Sequence, residues 1–344
     1  MISVSKTVQY SHMEISKIGE LVAGAKTVVI IQADNPDADS LGSALALESI
    51  LGDMGKEPYM YCALDMPDYL KYLSGWDRVE KELPPNFDLS IIVDTSTNTL
   101  LEKLEASAQR VWMPKHPCVV LDHHDGVECD IPYATVVLND PAKVSTGELI
   151  YSLAKEHKWP LALPAMEFIA NSILADSMGL TSENTTAETY RVMANLIEAG
   201  VNRPKLEELR RQLNKMAPEI FRYKAELIKR TELLADGQLA FLVIPQPEIN
   251  QYSPLYNPGP LIQGDQLQTG GVLISVVLKS YDSGRITGTI RCNNGAGIAS
   301  QLAEHFGGGG HAYAAGFKTE GRGLNEIKSE CIKFVSELLD KLKD

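Results

Sequence analysis

Apolar runs alternate with helical patterns along the N-terminal half of the chain. Short, continuous apolar runs rich in β-branched residues predict buried strands. These runs lie at 27–32, 57–62, 89–94, 118–122 and 134–138. Apolar residues at helical spacing predict helices at 42–53, 145–157, 164–175 and 186–199. Strands that alternate with helices are typical of a parallel, doubly wound sheet, so we predict an α/β fold for this half.

The pattern changes near residue 203. Residues 203–236 are charged and helix-forming, and we predict a strand-free helical connector there. The length of 344 residues is enough for two domains. We therefore assign residues 1–202 to the domain with the parallel sheet and residues 237–344 to a smaller α/β domain. We expect the active cleft to lie between these two domains.

The C-terminal domain has its own succession of elements. Apolar runs predict strands at 238–244, 272–279 and 286–292. The first of these strands is followed by a loop rich in Pro, Asn and Gln that extends from 245 to 271. We predict helices near 296–306 and from about 324 onward, with a glycine-rich loop between them.

Composition indicates a cytoplasmic protein. The five cysteines are scattered, odd in number and form no CxxC pair, which argues against a disulfide framework or a thiolate zinc site. No apolar run reaches the length of a membrane span, and the N-terminus lacks the apolar core of a signal peptide. We therefore expect a reducing compartment and no membrane partner.

The net charge of −13 narrows the range of partners. A protein that grips long duplex nucleic acid by its phosphates is normally basic. We therefore expect no long duplex nucleic acid as a partner. If the substrate carries phosphates, we expect it to be short and to be held by metal ions and a few local donors.

The loop that follows the predicted strand at 28–31 concentrates carboxylates. Asp34, Asp37 and Asp39 precede a helix, where they could supply oxygen ligands to a divalent cation. The first helical turn near Gly42 has free amides that attract anions. In an open α/β sheet, such a loop lies at the edge that binds ligands. The alternative is that these residues are only helix caps and turn formers.

Further acidic residues end other apolar segments. Asp94 and Asp122 close two predicted strands, Asp176 ends a helical pattern, and His123 and His124 follow directly after Asp122. Any one of them could be a cap or turn residue. Together they are expected at the carboxyl ends of adjacent strands, where unneutralised carboxylates would repel each other. Since carboxylate oxygens and imidazole nitrogens suit Mn²⁺ or Mg²⁺, we predict a bound pair of such ions.

This set of motifs resembles the DHH phosphoesterases. The four motifs of that family match, in order, Asn35–Ser43, Asp94, Asp122–His124 and Asp176. The segment Gly307–Phe317, preceded by Thr289–Cys292, resembles the C-terminal domain that is associated with this family. Within the family, the chain is most similar to the short bacterial oligoribonuclease and pAp phosphatase subgroup.

The resemblance implies two bound divalent ions, with Mn²⁺ expected and Mg²⁺ as the alternative. Asp37 and Asp94 would bind one ion, and Asp94 would bridge to the other. Asp39, His123 and Asp176 would bind that second ion.

The resemblance also implies catalytic roles for two residues beside the ions. Asp122 would orient a histidine, and His124 would face the substrate phosphate. The implied chemistry is two-metal hydrolysis, in which the ions activate a water for in-line attack on phosphorus and stabilise the developing charge.

By the same resemblance, the C-terminal domain would be a substrate clamp. The missing side chains of Gly308, Gly309 and Gly310 would let a phosphate or a base approach the backbone, where successive amides can form an anion nest. His311 and Arg291 would supply charge and donors for a distal phosphate or nucleotide.

One position departs from the family pattern. The first motif usually begins with a metal-binding histidine three residues before the proline, and Ala33 occupies that position here. One ion therefore has fewer obvious protein ligands than in relatives. Asp34, Gln32 or water could complete its coordination, or the site could be weak.

The leading hypothesis is a hydrolase that acts on very short oligonucleotides or on pAp-like 3′-phosphonucleotides. One alternative is hydrolysis of cyclic dinucleotides or their linear products, because the same metals and clamp would serve. Another alternative is a nucleotide-binding homologue with little activity, since the first-motif histidine is missing. We expect short oligonucleotides or small phosphonucleotides as partners and allow for a homodimer.

Overall fold

The computed structural model describes residues 12–126, 128–213, 215–253 and 258–342. The chain divides into two compact units, Met1–Lys215 and Met216–Asp344. Within the described ranges, no helix is both long enough and apolar enough to span a membrane.

The first unit contains a parallel sheet. Its strands are β1 Thr27–Ile31, β2 Glu57–Tyr61, β3 Val79–Glu80, β4 Leu89–Val93, β5 Cys118–Asp122 and β6 Val136–Asn139. Their order is β3-β2-β1-β4-β5-β6, and each pair of neighbours is parallel. This confirms the predicted α/β fold. The strand order reverses between β1 and β4, and open α/β sheets bind ligands outside the carboxyl ends of the strands at such a point.

Helices cover both faces of this sheet. They are α1 His12–Gly24, α2 Ala38–Asp53, α3 Glu102–Ala106, α4 Thr146–His157, α5 Leu163–Asp176, α6 Ala187–Glu198 and α7 Arg203–Leu213. Val28 and Ile30 of β1 pack in one core cluster with residues of α2, α4 and α5. Val29 and Ile31 pack in a second cluster, with Leu104 of α3. Because both faces are buried, these strands are continuous apolar runs.

The second unit contains a mixed sheet. Its strands are β7 Glu232–Leu234, β8 Leu239–Pro245, β9 Ile274–Ser280, β10 Arg285–Cys292, β11 Gly309–His311 and β12 Ala314–Glu320. Their order is β11-β12-β10-β9-β8-β7. The pair β8 and β9 is parallel, and the other neighbours are antiparallel. The helices of this unit are α8 Pro218–Arg230, α9 Gln246–Tyr252, α10 Pro258–Leu267, α11 Ala299–His305 and α12 Leu324–Asp340.

The segment predicted as a connector, 203–236, is shared between the units. Helix α7 belongs to the first unit, whereas α8 and β7 belong to the second. The prediction that this segment has no strand is wrong, because β7 pairs with β8 at the edge of the second sheet. Three mostly exposed residues have no apolar period of their own, so only their partner strand reveals this edge strand.

The predicted loop from 245 to 271 is also wrong, because it contains α9 and α10. Both helices have a proline in their first turn, where its missing N–H costs no hydrogen bond. Ile249, Leu261 and Ile262 of these helices are buried in a cluster with Leu227 of α8. Tertiary packing therefore stabilises helices that the Pro-, Asn- and Gln-rich composition does not favour. Residues 254–257 of the predicted loop lie outside the described residues.

Candidate metal centre

Asp94 directly follows β4 in a left-handed backbone conformation. Its φ is 62°, which aspartate tolerates better than most residues do. The amide of Asp94 donates to the carbonyl of Leu121 at 2.9 Å, so the turn is tied to the neighbouring strand β5. The Oδ1 atom of Asp94 accepts from the hydroxyl of Thr146 at 3.2 Å. The carboxylate therefore faces the first turn of α4.

Asp39 is fully buried in the first turn of α2. Its Oδ1 atom accepts from the hydroxyls of Ser172 at 2.6 Å and Ser43 at 2.9 Å. The backbone amides of Thr146 and Gly147, at the start of α4, donate to Oδ2 at 2.8 Å and to Oδ1 at 3.3 Å. A buried carboxylate is costly without such donors, and the positive end of α4 stabilises it further. These contacts fix the position of Asp39.

The imidazole of His123 lies among three carboxylates. Its Nε2 atom is 3.1 Å from Oδ2 of Asp176, 3.4 Å from Oδ2 of Asp39 and 3.5 Å from Oδ1 of Asp94. This nitrogen is buried and makes no hydrogen bond to any residue that the structure describes. One nitrogen and several carboxylate oxygens that converge in this way have the donor set that Mn²⁺ binds.

These side chains shift each other's pKa values. Burial and the charge of Asp39 raise the pKa of Asp94 well above its ordinary value, and burial raises the pKa of Asp176. Burial lowers the pKa of His123, but its contacts with Asp176 and Asp94 outweigh that effect and raise this pKa to about 11. The site therefore strongly favours a positive charge, which a divalent cation would satisfy.

Two groups of described side chains could each hold an ion. One group is Asp39, His123 and Asp176, and the other is Asp94, His123 and His124. Within each group the ligand atoms lie within 4.8 Å of one another. The structure thus brings together the residues predicted to bind the second ion. Their role as ligands remains a prediction.

Asp122 and His124 form a close pair beside this centre. Oδ1 of the fully buried Asp122 lies 2.7 Å from Nδ1 of His124, and the amide of His123 donates to the same oxygen at 2.8 Å. Burial raises the pKa of Asp122, but its contacts with His124, Ser96 and the amide of His123 together outweigh burial, so this pKa is lowered. The same contact raises the pKa of His124. The contact with Asp122 fixes the orientation of the His124 ring, and the role of His124 toward a substrate remains a prediction.

Asp37 caps the N-terminus of α2. Its Oδ1 atom accepts from the amide of Ser40 at 2.9 Å, and its side chain is exposed. Asp37 is not in either described group of converging ligand atoms. The structure therefore places Asp37 at the edge of the centre, at the start of the helix that also carries Asp39.

Ala33 stands where the family pattern has a histidine, and its neighbours Asp34 and Gln32 differ in their hydrogen-bond partners. Ala33 is buried at 5% exposure. The Asp34 carboxylate accepts from the amide of Lys103 at 2.8 Å, which directs it to the start of α3. Gln32 is buried at 1% exposure, and its Nε2 atom has no hydrogen-bond partner among the described residues. An amide nitrogen is a donor, so only Oε1 of Gln32, which accepts from the Ser40 hydroxyl at 3.5 Å, could coordinate an ion.

Residues 27–175 match the model of the DHH family, N-terminal domain. This part of the chain is a DHH family domain. A relative that extends over most of both chains is the bifunctional oligoribonuclease and PAP phosphatase NrnA of Thermus thermophilus. It is 29% identical over 321 residues, which are 89% of this chain and 88% of the relative. The chain is a homologue of phosphoester-hydrolysing enzymes.

Solved structures share the fold of the DHH domain and of the rest of the chain. An exopolyphosphatase-related protein from Bacteroides fragilis superposes with a TM-score of 0.80 at 19% identity, covering 98% of this chain and 100% of that protein. The exonuclease RecJ bound to manganese superposes with a TM-score of 0.51 at 16% identity, covering 94% of each chain. At this identity the likeness concerns the fold.

Outside the DHH domain, Arg291 and His311 flank one position of the second sheet. Ala314 of β12 lies opposite Arg291 of β10 on one side and opposite His311 of β11 on the other. Directly opposed residues of antiparallel strands project from the same face of a sheet. The structure therefore places both predicted clamp residues on one face, about two strand spacings (~10 Å) apart, with a small residue between them.

The glycines before His311 do not form the predicted loop. Residues Gly309–His311 are the edge strand β11, paired with β12. A Cβ atom on Gly308 would lie 2.2 Å from the carbonyl oxygen of Gly316, and one on Gly310 would lie 2.6 Å from that of Ala314. The segment that contains Gly308 and Gly310 lies so close to β12 that packing alone requires glycine at both positions. The role of Gly308, Gly309 and Gly310 in binding substrate remains a prediction.

Sequence reasoning missed the residues that support the carboxylates of the DHH domain. Thr146 donates to Asp94 and to Asp39, and Ser172 donates to Asp39. The spacing of Ser145 and Glu148 is that of a capping box, which marks the start of α4. That signal could have located the helix end, but only the fold shows that this end meets Asp39.

Proposed function

We propose that the protein is a divalent-metal-dependent phosphoesterase that hydrolyses very short oligonucleotides, pAp-like 3′-phosphonucleotides, or both. The observation that carries the proposal is the convergence of Asp39, Asp94 and Asp176 on Nε2 of His123, within 3.5 Å. This donor set fits Mn²⁺, with Mg²⁺ as the alternative. The likeness to an oligoribonuclease and PAP phosphatase over most of both chains supports the substrate class.

The proposed ligands divide between two ions. Asp39, His123 and Asp176 would hold one ion, and Asp37 and Asp94 would hold the other. When bound, two such ions would supply Lewis-acid chemistry: activation of a water and stabilisation of the negative charge that develops at phosphorus. The buried donors around Asp39 keep its carboxylate in place, so that the ligand geometry does not have to form anew in each turnover.

The remaining proposed roles concern the substrate. His124, oriented by Asp122, donates to a phosphate oxygen through Nε2. In the second unit, Arg291 and His311 bind a phosphate or nucleotide away from the scissile bond, with the backbone of Gly308, Gly309 and Gly310 close by. We further propose a cytoplasmic enzyme, with a homodimer as an allowed assembly.

A hydrolysis screen tests the proposed function. Purified protein is incubated with Mn²⁺, with Mg²⁺ or with EDTA, against pAp, linear dinucleotides, cyclic dinucleotides and pyrophosphate. We expect metal-dependent release of nucleoside monophosphates from dinucleotides, or of phosphate from pAp. Turnover of cyclic dinucleotides alone would favour the alternative that the protein is a cyclic-dinucleotide phosphodiesterase. Binding of these compounds without turnover under any metal would favour the nucleotide-binding alternative and contradict the proposal.

A further inference from the structure

A pocket of about 640 Å³ lies beside the metal centre, within the first unit. Ala38 lines it, and this residue stands between the proposed ligands Asp37 and Asp39. Ala175 also lines it, directly before the proposed ligand Asp176. The volume is within the range of small-molecule sites. The pocket therefore begins at backbone segments that carry the metal centre.

Helix α7 makes one wall of this pocket positive. Arg203, Arg210 and Arg211 line it, together with a single acidic residue of that helix, Glu207. Arg210 and Arg211 lie 2.8 Å and 2.7 Å from Oε1 of Glu207, which balances one of the three positive charges. Arg203 is exposed at the start of the same helix. In a chain of net charge −13, such a local excess of arginine suits phosphate, which guanidinium groups bind with two parallel hydrogen bonds.

Two tyrosines also line the pocket, and one of them is hydrogen-bonded to the first motif. Tyr69 and Tyr72 line the pocket, and the hydroxyl of Tyr69 donates to the carbonyl of Pro36 at 3.2 Å. Tyr69 is 50% exposed, so part of its ring is open to a ligand. Aromatic rings next to arginines are the combination on which nucleic-acid bases stack while their phosphates are held. The pocket thus has the chemistry of a nucleotide site.

We propose that this pocket binds one additional nucleotide of the substrate, joined to the phosphate that is held at the metal centre. The inference rests on the proposed function and specifies its substrate class. A phosphodiester has a nucleoside on each side of the phosphorus, whereas pAp has only one. If Arg291 and His311 bind one side, the other side needs a site near the metals. The base stacks on Tyr69 or Tyr72, and the next phosphate pairs with Arg203 and Arg211.

The test combines the loss of charge with a series of substrate lengths. The double variant Arg203→Ala/Arg211→Ala is compared with the native protein on pAp and on di-, tri- and pentanucleotides. For the tri- and pentanucleotide, which carry a phosphate beyond the scissile one, we expect kcat/KM to fall about ten- to hundredfold, mainly through KM, as for a lost charged hydrogen bond. A dinucleotide without a terminal phosphate should be affected much less. For pAp we expect a change of less than about twofold, with bound metal unchanged. Tyr69→Leu should show the same selectivity.

The matched control is Arg191→Ala on α6, because Arg191 is exposed, pairs with Glu188 and does not line the pocket. This substitution should leave kcat/KM unchanged on every substrate of the series. A second readout is the affinity for a fluorescein-labelled trinucleotide, measured by anisotropy in an Asp94→Asn background, where hydrolysis is suppressed. Affinity should again fall when Arg203 and Arg211 are replaced.

The outcomes distinguish this inference from the proposed function. Equal losses on pAp and on the trinucleotide, or no loss on either, would overturn the additional nucleotide site. If the native protein hydrolyses nothing in the series, yet the trinucleotide binds more weakly without the two arginines, the proposed function fails and the pocket assignment stands. If that binding is also unchanged, the pocket assignment fails as well.

Discussion

At the scale of single residues, the hydrogen bonds that a carboxylate already accepts determine which of its oxygens can face an ion at the candidate metal centre. Oδ1 of Asp39 accepts from three donors, whereas Oδ2 accepts one amide hydrogen and also lies 3.4 Å from the imidazole of His123. Oδ2 is therefore the oxygen that can face an ion. The left-handed backbone conformation of Asp94 directs its carboxylate toward His123 as well. Such conformations concentrate at functional sites.

Asp94→Asn should abolish nearly all turnover and reduce the metal content of the protein. Asparagine keeps the size of the side chain and tolerates the positive φ, so the fold should be retained. The loss of a bridging charge should cost more than the roughly 10- to 100-fold loss seen when a residue that supports a ligand is removed. Activity with Mn²⁺ and elemental analysis check this. Asp140→Asn, in a turn after β6, is the control, and native activity in Asp94→Asn would contradict the two-ion centre.

Ala33→His should tighten the weaker of two metal sites. Alanine cannot coordinate, so the ion that we propose for Asp37 and Asp94 would lack one ligand that the family pattern provides. Calorimetric titration with Mn²⁺ should show two classes of binding site with unequal affinity in the native protein. In the variant, the difference between the two affinities should be smaller. Two classes of equal affinity in the native protein would mean that another group, such as Asp34 or Gln32, already completes the site.

At the scale of elements, the N-terminus of α4 links the ligands to the fold. Ser145 caps this helix, and its next two amides point at Asp39. Gly147 allows α5 to approach, because Ser172 accepts from the Gly147 amide at 3.0 Å. A Cβ atom at position 147 would lie 2.1 Å from the Ser172 hydroxyl, so the contact between α4 and α5 depends on this glycine.

Gly147→Ala should destabilise the first unit by roughly 1–3 kcal/mol, as expected for an overpacked buried contact. Ser172 is held by several hydrogen bonds and cannot easily move away. Urea unfolding followed by circular dichroism would show a lower midpoint, and metal affinity should fall as Asp39 shifts.

The matched control for this change is Gly52→Ala, near the end of α2. A Cβ atom there meets nothing within 4 Å among the described residues. Alanine at that position should be neutral or stabilising by about 0.5–1 kcal/mol. If both glycine variants unfold at the same urea concentration, the close approach of α4 and α5 at position 147 is not needed for stability.

At the scale of the whole molecule, the proposed ligands and the proposed clamp belong to different units. The converging carboxylates and His123 lie within the first unit, and Arg291 and His311 lie within the second. Substitutions in the second unit should therefore change the choice of substrate without changing the bound metal.

Arg291→Ala should weaken hydrolysis of pAp or a dinucleotide by roughly ten- to hundredfold, since a lost charged hydrogen bond costs about 1.5–3 kcal/mol. A small nitrophenyl phosphodiester, which is too short to reach the clamp, should be much less affected. Kinetics on both substrates and metal analysis check this. Arg285→Ala, at the other end of β10 and stacked on Tyr281, is the control. Equal losses of activity on both substrates would contradict the proposed role of Arg291 in substrate binding.

The sequence by itself determined the α/β class and most elements of the first unit, because strands buried on both faces are continuous apolar runs. It also singled out Asp39, Asp94, His123 and Asp176 as candidate ligands, from an acidic loop before a helix, from the ends of apolar segments and from the resemblance to the DHH motifs. Their role as ligands stays a prediction. It did not show β7, β11 or β12, which are short, exposed or glycine-rich and take their form from a partner strand.

Only the tertiary structure decided the order of the strands and which groups meet. Alternating strands and helices are compatible with several strand orders, and the reversal between β1 and β4 places the ligand-bearing loops together. Contacts such as Thr146 with Asp39 join residues that are far apart in the chain, so no local pattern encodes them. The same holds for the pocket between Tyr69 and Arg203, whose walls come from separate elements.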